Sequence, residues 1–366
     1  MVAGYGNKLI VVTGKSSFIN SPFAGNLFQD FKDSGIVYHI ATVEGEPSPD
    51  IIDQAVRMFA NEDIKLIVGI GGGSVLDAGK ALSAMMYRSE SVTDFLEGIA
   101  KKEHPGSKLP YIAVPTTSGT GSEATKNAVI SHVGENGFKK SLRHDNFVPD
   151  IALIDPQLTL NCPRELTAAC GMDCFTQLVE SYLSDKSSEY TDALAMEGLK
   201  SVKSSFNRSC REGEDIEART GMSFAALTSG ICLANAGLGV VHGFASSVGA
   251  MYNIPHGLIC GTFMAKSNEV NVRKLREQGR NHISLKKYAT LGELFLNESG
   301  KSDSFYIDGF VEYLYKITND LQLSGLSEFN IKNEDIEAIC LKTELKNNPV
   351  ELSQEELNEI VISVIN

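Results

Sequence analysis

Three stretches of the chain carry residue types that do chemistry. The first is Ile70-Gly71-Gly72-Gly73-Ser74-Val75-Leu76-Asp77-Ala78-Gly79-Lys80. Glycines let a backbone lie against a pyrophosphate, and a helix that starts there offers unpaired N–H groups and a positive dipole end. The run lacks the Gly-Lys-Ser/Thr of a Walker loop and the spacing of GxGxxG, so a ligand-free turn between strand and helix is the competing reading. The second is Pro115-Thr116-Thr117-Ser118-Gly119-Thr120-Gly121-Ser122-Glu123-Ala124-Thr125. Its hydroxyls and glycines suit a loop around a nucleotide's sugar and phosphates, although alone it reads equally as a solvated polar loop. The third joins Asp173, in the helix opened by Gly171-Met172-Asp173, to His242 and His256, both followed by glycine. One carboxylate and two imidazoles make a donor set for a divalent ion, and the nitrogens favour zinc or ferrous iron over magnesium. The alternative is a pair of core histidines bonded to carbonyls, with Asp173 capping its helix.

These residues need elements to hold them. Lys8–Thr13, Ile36–Ile40, Lys65–Ile70 and Tyr111–Val114 are short β-branched runs separated by helical stretches. Continuous apolar strands spaced in this way predict a parallel sheet covered on both faces, with ligands at the carboxyl ends of the strands. Each strand ends in a Gly, Ser or Thr cluster, and the first two chemical stretches follow two of them. From about Arg164 the β signal fades, and 164–184, 187–206, 214–233 and 238–252 carry helical periodicity. Near the end, Ser353 and Glu356 form a capping box ahead of Leu357, Ile360, Val361 and Val364 at i, i+3, i+4, i+7. The break at Asp155-Pro156 divides the chain into an α/β dinucleotide-binding domain, 1–157, and an all-α metal and substrate domain, 158–366, packed around a cleft.

Composition excludes several classes. Of 366 residues, 42% are apolar and 22% charged, which is globular composition with enough length for two cores. Lys+Arg 33 against Asp+Glu 46 gives a net charge of −13, which argues against nucleic-acid or anionic-membrane partners. No apolar run approaches the roughly 20 residues of a membrane span. The 7 cysteines are scattered without a Cys-x-x-Cys, the usage of a reducing cytoplasm rather than of a disulfide framework.

Taken together, the motifs resemble those of the iron-containing (group III) alcohol dehydrogenase family. Gly71 to Lys80 is similar to its GGGSxxDxxK segment and Pro115 to Glu123 to its PTTxGTGSE segment. Asp155-Pro156, Pro163, Gly171-Met172-Asp173 and Glu180-Ser181-Tyr182 follow in the family's order, and Leu238 to Gly243 through Pro255-His256-Gly257 resembles its two-histidine segment. The resemblance runs from about residue 8 to Pro349. It implies a dinucleotide-binding α/β domain followed by a helical domain, the architecture shared with dehydroquinate synthase. It also implies direct hydride transfer between nicotinamide C4 and a metal-bound alkoxide or carbonyl of a small alcohol or aldehyde. Carried over residue by residue, Gly72, Gly73, Ser74 and Asp77 match pyrophosphate-loop positions. Thr116, Thr117, Thr125 and Asn127 match nicotinamide-nucleotide positions, Lys140 a lysine facing the cofactor, and Asp173, His242 and His256 three metal ligands. The family commonly forms dimers or larger assemblies, so a homodimer is possible.

The chain departs from the family at four places. Where a fourth ligand, His, stands one helical turn after the aspartate, this sequence has Gln177, whose carbonyl oxygen is a weaker donor. Where alcohol-oxidising members carry a His four residues after the first ligand histidine, it has Ser246, which passes a proton through water but does not hold one near neutral pH. The first strand ends in Gly14-Lys15-Ser16-Ser17 instead of an aspartate, so Gly14, Ser16 and Ser17 are expected at the adenosine ribose, with NADP(H) preferred over NAD(H). The chain also starts almost at the first strand, which predicts an exposed sheet edge there. Two rivals remain: a non-catalytic dinucleotide-binding protein with a decayed metal site, and a dehydroquinate-synthase-like lyase.

Overall fold

The computed structural model describes residues 2–134, 137–279, 282–322, 326–329 and 331–365. The apolar runs become the strands of one parallel sheet: β1 (Lys8–Gly14), β2 (Val37–Val43), β3 (Leu66–Gly71) and β4 (Tyr111–Pro115), joined by a two-residue strand at Ile151–Ala152. The spatial order is β2, β1, β3, β4, then Ile151–Ala152. Alternation along β1 shows why the run is apolar throughout. Ile10 and Val12 belong to one buried cluster and Leu9 and Val11 to another, one on each face. The covering helices are α1 (Pro22–Asp33), α2 (Pro49–Phe59) and α3 (Gly73–Met85). Ser48 caps α2 by accepting from the Ile51 amide, with Pro49 at the first helical position.

Two expectations are corrected here. The free edge is not at the first strand: β1 lies between β2 and β3, and the edge belongs to β2, where Val37 and Ile40 are exposed. The sequence reading also missed a two-stranded antiparallel hairpin, β5 (Asn127–His132) with β6 (Phe138–Arg143), packed on α3 and on the helical half.

The second half is helical, as the periodicity predicts: α4 (Arg164–Leu183), α5 (Glu189–Arg211), α6 (Ile216–Ala236), α7 (Val240–Met251), α8 (His256–Gln278), α9 (Ile283–Leu296), α10 (Asp303–Asp320), α11 (Ile336–Lys342) and α12 (Gln354–Ile365). The Ser353–Glu356 capping box at α12 is present, with Glu356 accepting from the Ser353 amide at 2.7 Å. Helix α4 packs against α5, α6 and α8, and from Gly171 to Leu183 every residue is buried. Gly171-Met172-Asp173 therefore lies in the middle of a helix and does not open one. Asp173 caps nothing, and its burial needs another explanation. No single helix among the described residues is long and apolar enough to cross a membrane.

Candidate active site between the two halves

The site starts where β3 turns into α3. Gly72 caps that helix, and a Cβ on Gly73 would stand 2.5 Å from Thr120 Cγ2. The glycine is thus demanded first by the neighbouring Ser/Thr loop, which presses against the helix start and leaves its N-terminal N–H groups facing a cavity. That cavity, about 540 Å³, is lined by Gly72, Gly73, Ser74, Thr116 and Thr117 from the sheet side and by Cys170, Asp173 and His256 from the helices. Its size and its helix N-terminus suit a dinucleotide. Ser17 lies on its wall, whereas Gly14 closes β1 and Ser16 sits in the following turn, neither on the wall.

A second cavity of about 220 Å³ continues inward, lined among others by Asp77, Thr125, Asn127, Lys139, Gln177, His242, Ser246 and Lys346. Gly73, Ser74, Thr120, Asp173 and His256 belong to both walls, so the two spaces meet at the metal-donor residues. Asp77 and Thr125 reach this wall but spend their polar atoms inside the fold. Asp77 accepts from Ser122 Oγ at 2.5 Å and from the Val129 amide at 3.1 Å. Thr125 Oγ1 accepts from the Lys80 ammonium at 2.8 Å, and that ammonium also donates to the carbonyls of Ser122 and Asn127. Burial pushes Lys80 down to about 8 and Glu123 beside it up to about 7. Asp77 and Lys80 thus fasten α3 to the polar loop and to β5.

Lys140 is not brought to the cleft. Residues alternate across a strand, and β6 turns Lys139, Ser141 and Arg143 to the inner cavity while Lys140 points the other way, 3.8 Å from Glu344. Lys139 pairs with Glu46, and Arg143 Nε stands 3.1 Å from Glu97.

The donors converge because α4, α7 and α8 pack closely. A Cβ on Gly257 would stand 2.0 Å from the Ala169 carbonyl oxygen, so only glycine lets the start of α8 press onto α4 and carry His256 to Asp173. Asp173, Gln177 and Glu180 fall at i, i+4, i+7 on one face of α4. His242 Nε2 stands 3.2 Å from Asp173 Oδ1, and His256 Nε2 stands 3.7 Å from the same oxygen. Glu180 fixes the first of these rings. Its Oε2 accepts from His242 Nδ1 at 2.6 Å, and its Oε1 accepts from the Val241 amide at the N-terminus of α7, where the helix dipole favours a carboxylate. With Nδ1 engaged by Glu180, His242 turns Nε2 to Asp173 Oδ1. Against its burial, the acidic neighbours Cys260, Glu180 and Asp173 hold the ring well above the ordinary imidazole range. Nε2 therefore donates to Asp173 and would give up that proton to ligate an ion. Burial pushes His256 down to about 4, so its ring is neutral and able to ligate. The histidine neighbours hold Asp173 below the ordinary carboxylate range against its burial.

Gln177 turns its amide nitrogen, not its carbonyl oxygen, toward the donors. Its Nε2 donates to Asp173 Oδ1 and to the Thr120 carbonyl, and its Oε1 accepts from Ser229 Oγ at 2.7 Å. Turning the amide over would set its oxygen against two acceptors, so the donor end faces the aspartate. The fourth potential donor is one the sequence reading missed, Cys260. Its Sγ lies 3.8 Å from Asp173 Oδ1, 3.8 Å from His242 Nε2 and 3.7 Å from His256 Nε2. The ligand atoms of Asp173, His242, His256 and Cys260 lie within 4.8 Å of one another. The only sequence signal was its position four residues after His256, the same helical face of α8.

Ser246 lines the inner cavity but donates to its own helix, to the His242 carbonyl at 2.8 Å, and the Lys346 ammonium stands 3.5 Å from its oxygen. Phe175, Phe244 and Tyr252 line neither of the two cavities. Phe175 packs on Phe295, Phe244 stacks on Phe263, and the Tyr252 hydroxyl donates to Asp335.

Comparison with known proteins agrees with this arrangement. Residues 1–156 match the family model described as iron-containing alcohol dehydrogenase, and residues 167–365 match that of the Fe-containing alcohol dehydrogenase family, C-terminal. The NAD-dependent methanol dehydrogenase of Bacillus methanolicus is 29% identical over 336 residues, 91% of this chain and 84% of that protein. The NADPH-dependent butanol dehydrogenase of Clostridium saccharobutylicum is 28% identical over 365 residues, 97% of this chain and 91% of that one. Among solved structures, an archaeal halo-thermophilic Red Sea brine pool alcohol dehydrogenase superposes with a TM-score of 0.90 at 25% identity, covering 99% of this chain and 93% of the other.

Proposed function

The chain belongs to the iron-containing alcohol dehydrogenase family and is a metal-dependent alcohol dehydrogenase, and from that premise we propose that it works as an NADPH-linked reductase of small aldehydes. The observation that carries the reading is the meeting of a dinucleotide-sized cavity and a smaller inner one at the donors Asp173, His242 and His256. These residues fit a divalent ion: a buried carboxylate and two imidazole nitrogens converge, and Glu180 holds one ring by its Nδ1. When bound, such an ion supplies a Lewis acid for the substrate oxygen, and a nicotinamide nucleotide supplies or accepts the hydride.

The chain's own residues do the rest. The α3 N-terminus with Ser74, Thr116 and Thr117 cradles the nucleotide, and the burial of Asp173 and His242 limits bulk water at the reacting oxygen. Ser246 and Lys346 are the groups on the inner wall through which a proton can leave by water. The absence of a carboxylate at the end of β1, with Lys15, Ser16 and Ser17 in its place, supports NADP(H) over NAD(H). Lys15 stands 2.9 Å from Glu44, so its charge is partly spent and the preference is modest. The 7 cysteines are free thiols, which supports a cytoplasmic setting.

Metal retained by a decayed, non-catalytic site has no role that would keep three donors and the Glu180 support together, so catalysis is the better reading. The test is turnover. Protein loaded with zinc or ferrous ion should oxidise NADPH faster than NADH in the presence of short aliphatic aldehydes. Asp173→Ala should keep its fold and its nucleotide affinity while losing metal and turnover. An Asp173→Ala protein as active as the wild type would remove the site assignment.

A further inference from the structure

We propose that Cys260 is a metal ligand, completing an Asp173, His242, His256, Cys260 donor set that suits zinc. The proposal rests on the metal-dependent reading above and goes beyond it by naming a donor and a metal.

The first support is geometric. Zinc bonds of about 2.0–2.1 Å to nitrogen or oxygen and about 2.3 Å to sulfur place donors around a tetrahedral ion roughly 3.3 Å apart, or roughly 3.6 Å where one is sulfur. Between the carboxylate oxygen and the two imidazoles the structure has 3.2 and 3.7 Å, and from the sulfur to the other three donors 3.7, 3.8 and 3.8 Å. A fully buried thiol facing a carboxylate and two imidazole nitrogens at once, each within a few tenths of an ångström of these separations, is more than ordinary core packing supplies.

The second support is the state of position 177. Gln177 turns its NH₂ toward Asp173 and gives its oxygen to Ser229, so helix α4 offers no fourth ligand. His256 and Cys260 reproduce on α8 the four-residue spacing that α4 gives to Asp173 and Gln177. The fourth donor thus stands on α8 rather than on α4. Cys260 also lies on the closed side. It has no exposure and lines neither cavity, whereas Asp173 and His256 line both and His242 the inner one. With four protein donors a tetrahedral shell is full, so the substrate oxygen would enter from the cavity side as a fifth ligand.

Ligation breaks the S–H bond, forms a sulfur–metal bond and releases the proton to solvent, with no change of oxidation state. A thiolate is a soft donor, and with two imidazoles it favours zinc over harder, oxygen-preferring ions.

The experiment uses the whole chain, stripped of metal and reloaded with Co²⁺ or Zn²⁺. Cobalt should bind at one ion per chain and give an intense near-ultraviolet sulfur-to-cobalt absorption. That absorption should vanish in Cys260→Ser and Cys260→Ala and persist in Gln177→Ala. Zinc affinity, by competition with a chromophoric chelator, should fall at least about tenfold in both cysteine variants, since loss of a direct ligand costs no less than loss of its support. X-ray absorption of the zinc-loaded wild type should show one sulfur at about 2.3 Å, a reading that does not depend on any variant folding. Cobalt bound at one per chain, lost in Asp173→Ala, but without a sulfur band would overturn the role of Cys260 and leave the dehydrogenase reading standing. A wild-type protein that takes up neither ion would overturn both.

Discussion

Glu180 shows how much a single side chain organises here. One carboxylate satisfies an orphan amide at the start of α7 and holds the His242 ring by Nδ1, with Nε2 toward Asp173. Glu180→Gln keeps the size but offers one acceptor instead of two, so either the amide or the ring loses its partner. Zinc affinity should drop about 10–100-fold with the fold intact, measured by chelator competition alongside circular dichroism. An unchanged affinity would mean that the ring is oriented by packing alone. At this scale the sequence was partly legible. Asp173, His242 and His256 stand out by residue type, and burial then brings them together. Cys260 did not stand out, because its place four residues after His256 singles it out among 7 thiols only once α8 is seen to point it at Asp173. Lys140 was named by resemblance alone; strand register, which appears once β6 is paired with β5, is what puts its neighbour Lys139 on the cavity side instead.

Elements place these groups, and α3 is the one on which the cleft depends. Lys80, about two turns inside it, is fully buried and donates to Ser122, Thr125 and Asn127, tying the helix to the polar loop and the hairpin. Lys80→Met would leave several buried oxygens without a donor and Asp77 without its cation. Stability to urea, followed by circular dichroism, should fall by about 3–5 kcal/mol, the range for breaking one side of a buried charged network. A loss under about 1 kcal/mol would show that water replaces the ammonium. The GGGSxxDxxK pattern therefore holds two kinds of residue: Gly72, Gly73 and Ser74 line the cavity, while Asp77 and Lys80 support it. Spacing alone does not separate them. The four parallel strands were legible because burial on both faces demands continuous apolar runs. The β5–β6 hairpin was not, because its inner face lines a polar cavity and so carries Lys139, Ser141 and Arg143 where a core strand would carry apolar residues.

On the scale of the molecule, a parallel sheet presents its strand ends to a helical half whose own helices α4, α7 and α8 carry the donors. The cleft forms because each half supplies what the other lacks, helix N-terminus and hydroxyls on one side, carboxylate, imidazoles and thiol on the other. The succession of an α/β half and a helical half was visible in the change of periodicity along the chain. The contact between the halves was not, since it depends on close approaches such as Gly73 to Thr120 and Gly257 to Ala169. The most direct test of the account measures both halves of the cleft on one preparation: elemental analysis of protein purified without chelator, with fluorescence titration of NADPH and NADH on the same sample. The account predicts about one zinc or iron per chain and tighter binding of NADPH. Nucleotide binding with no metal retained, even after Zn²⁺ or Fe²⁺ is supplied, would contradict it and leave a protein that binds the cofactor without the means to use it.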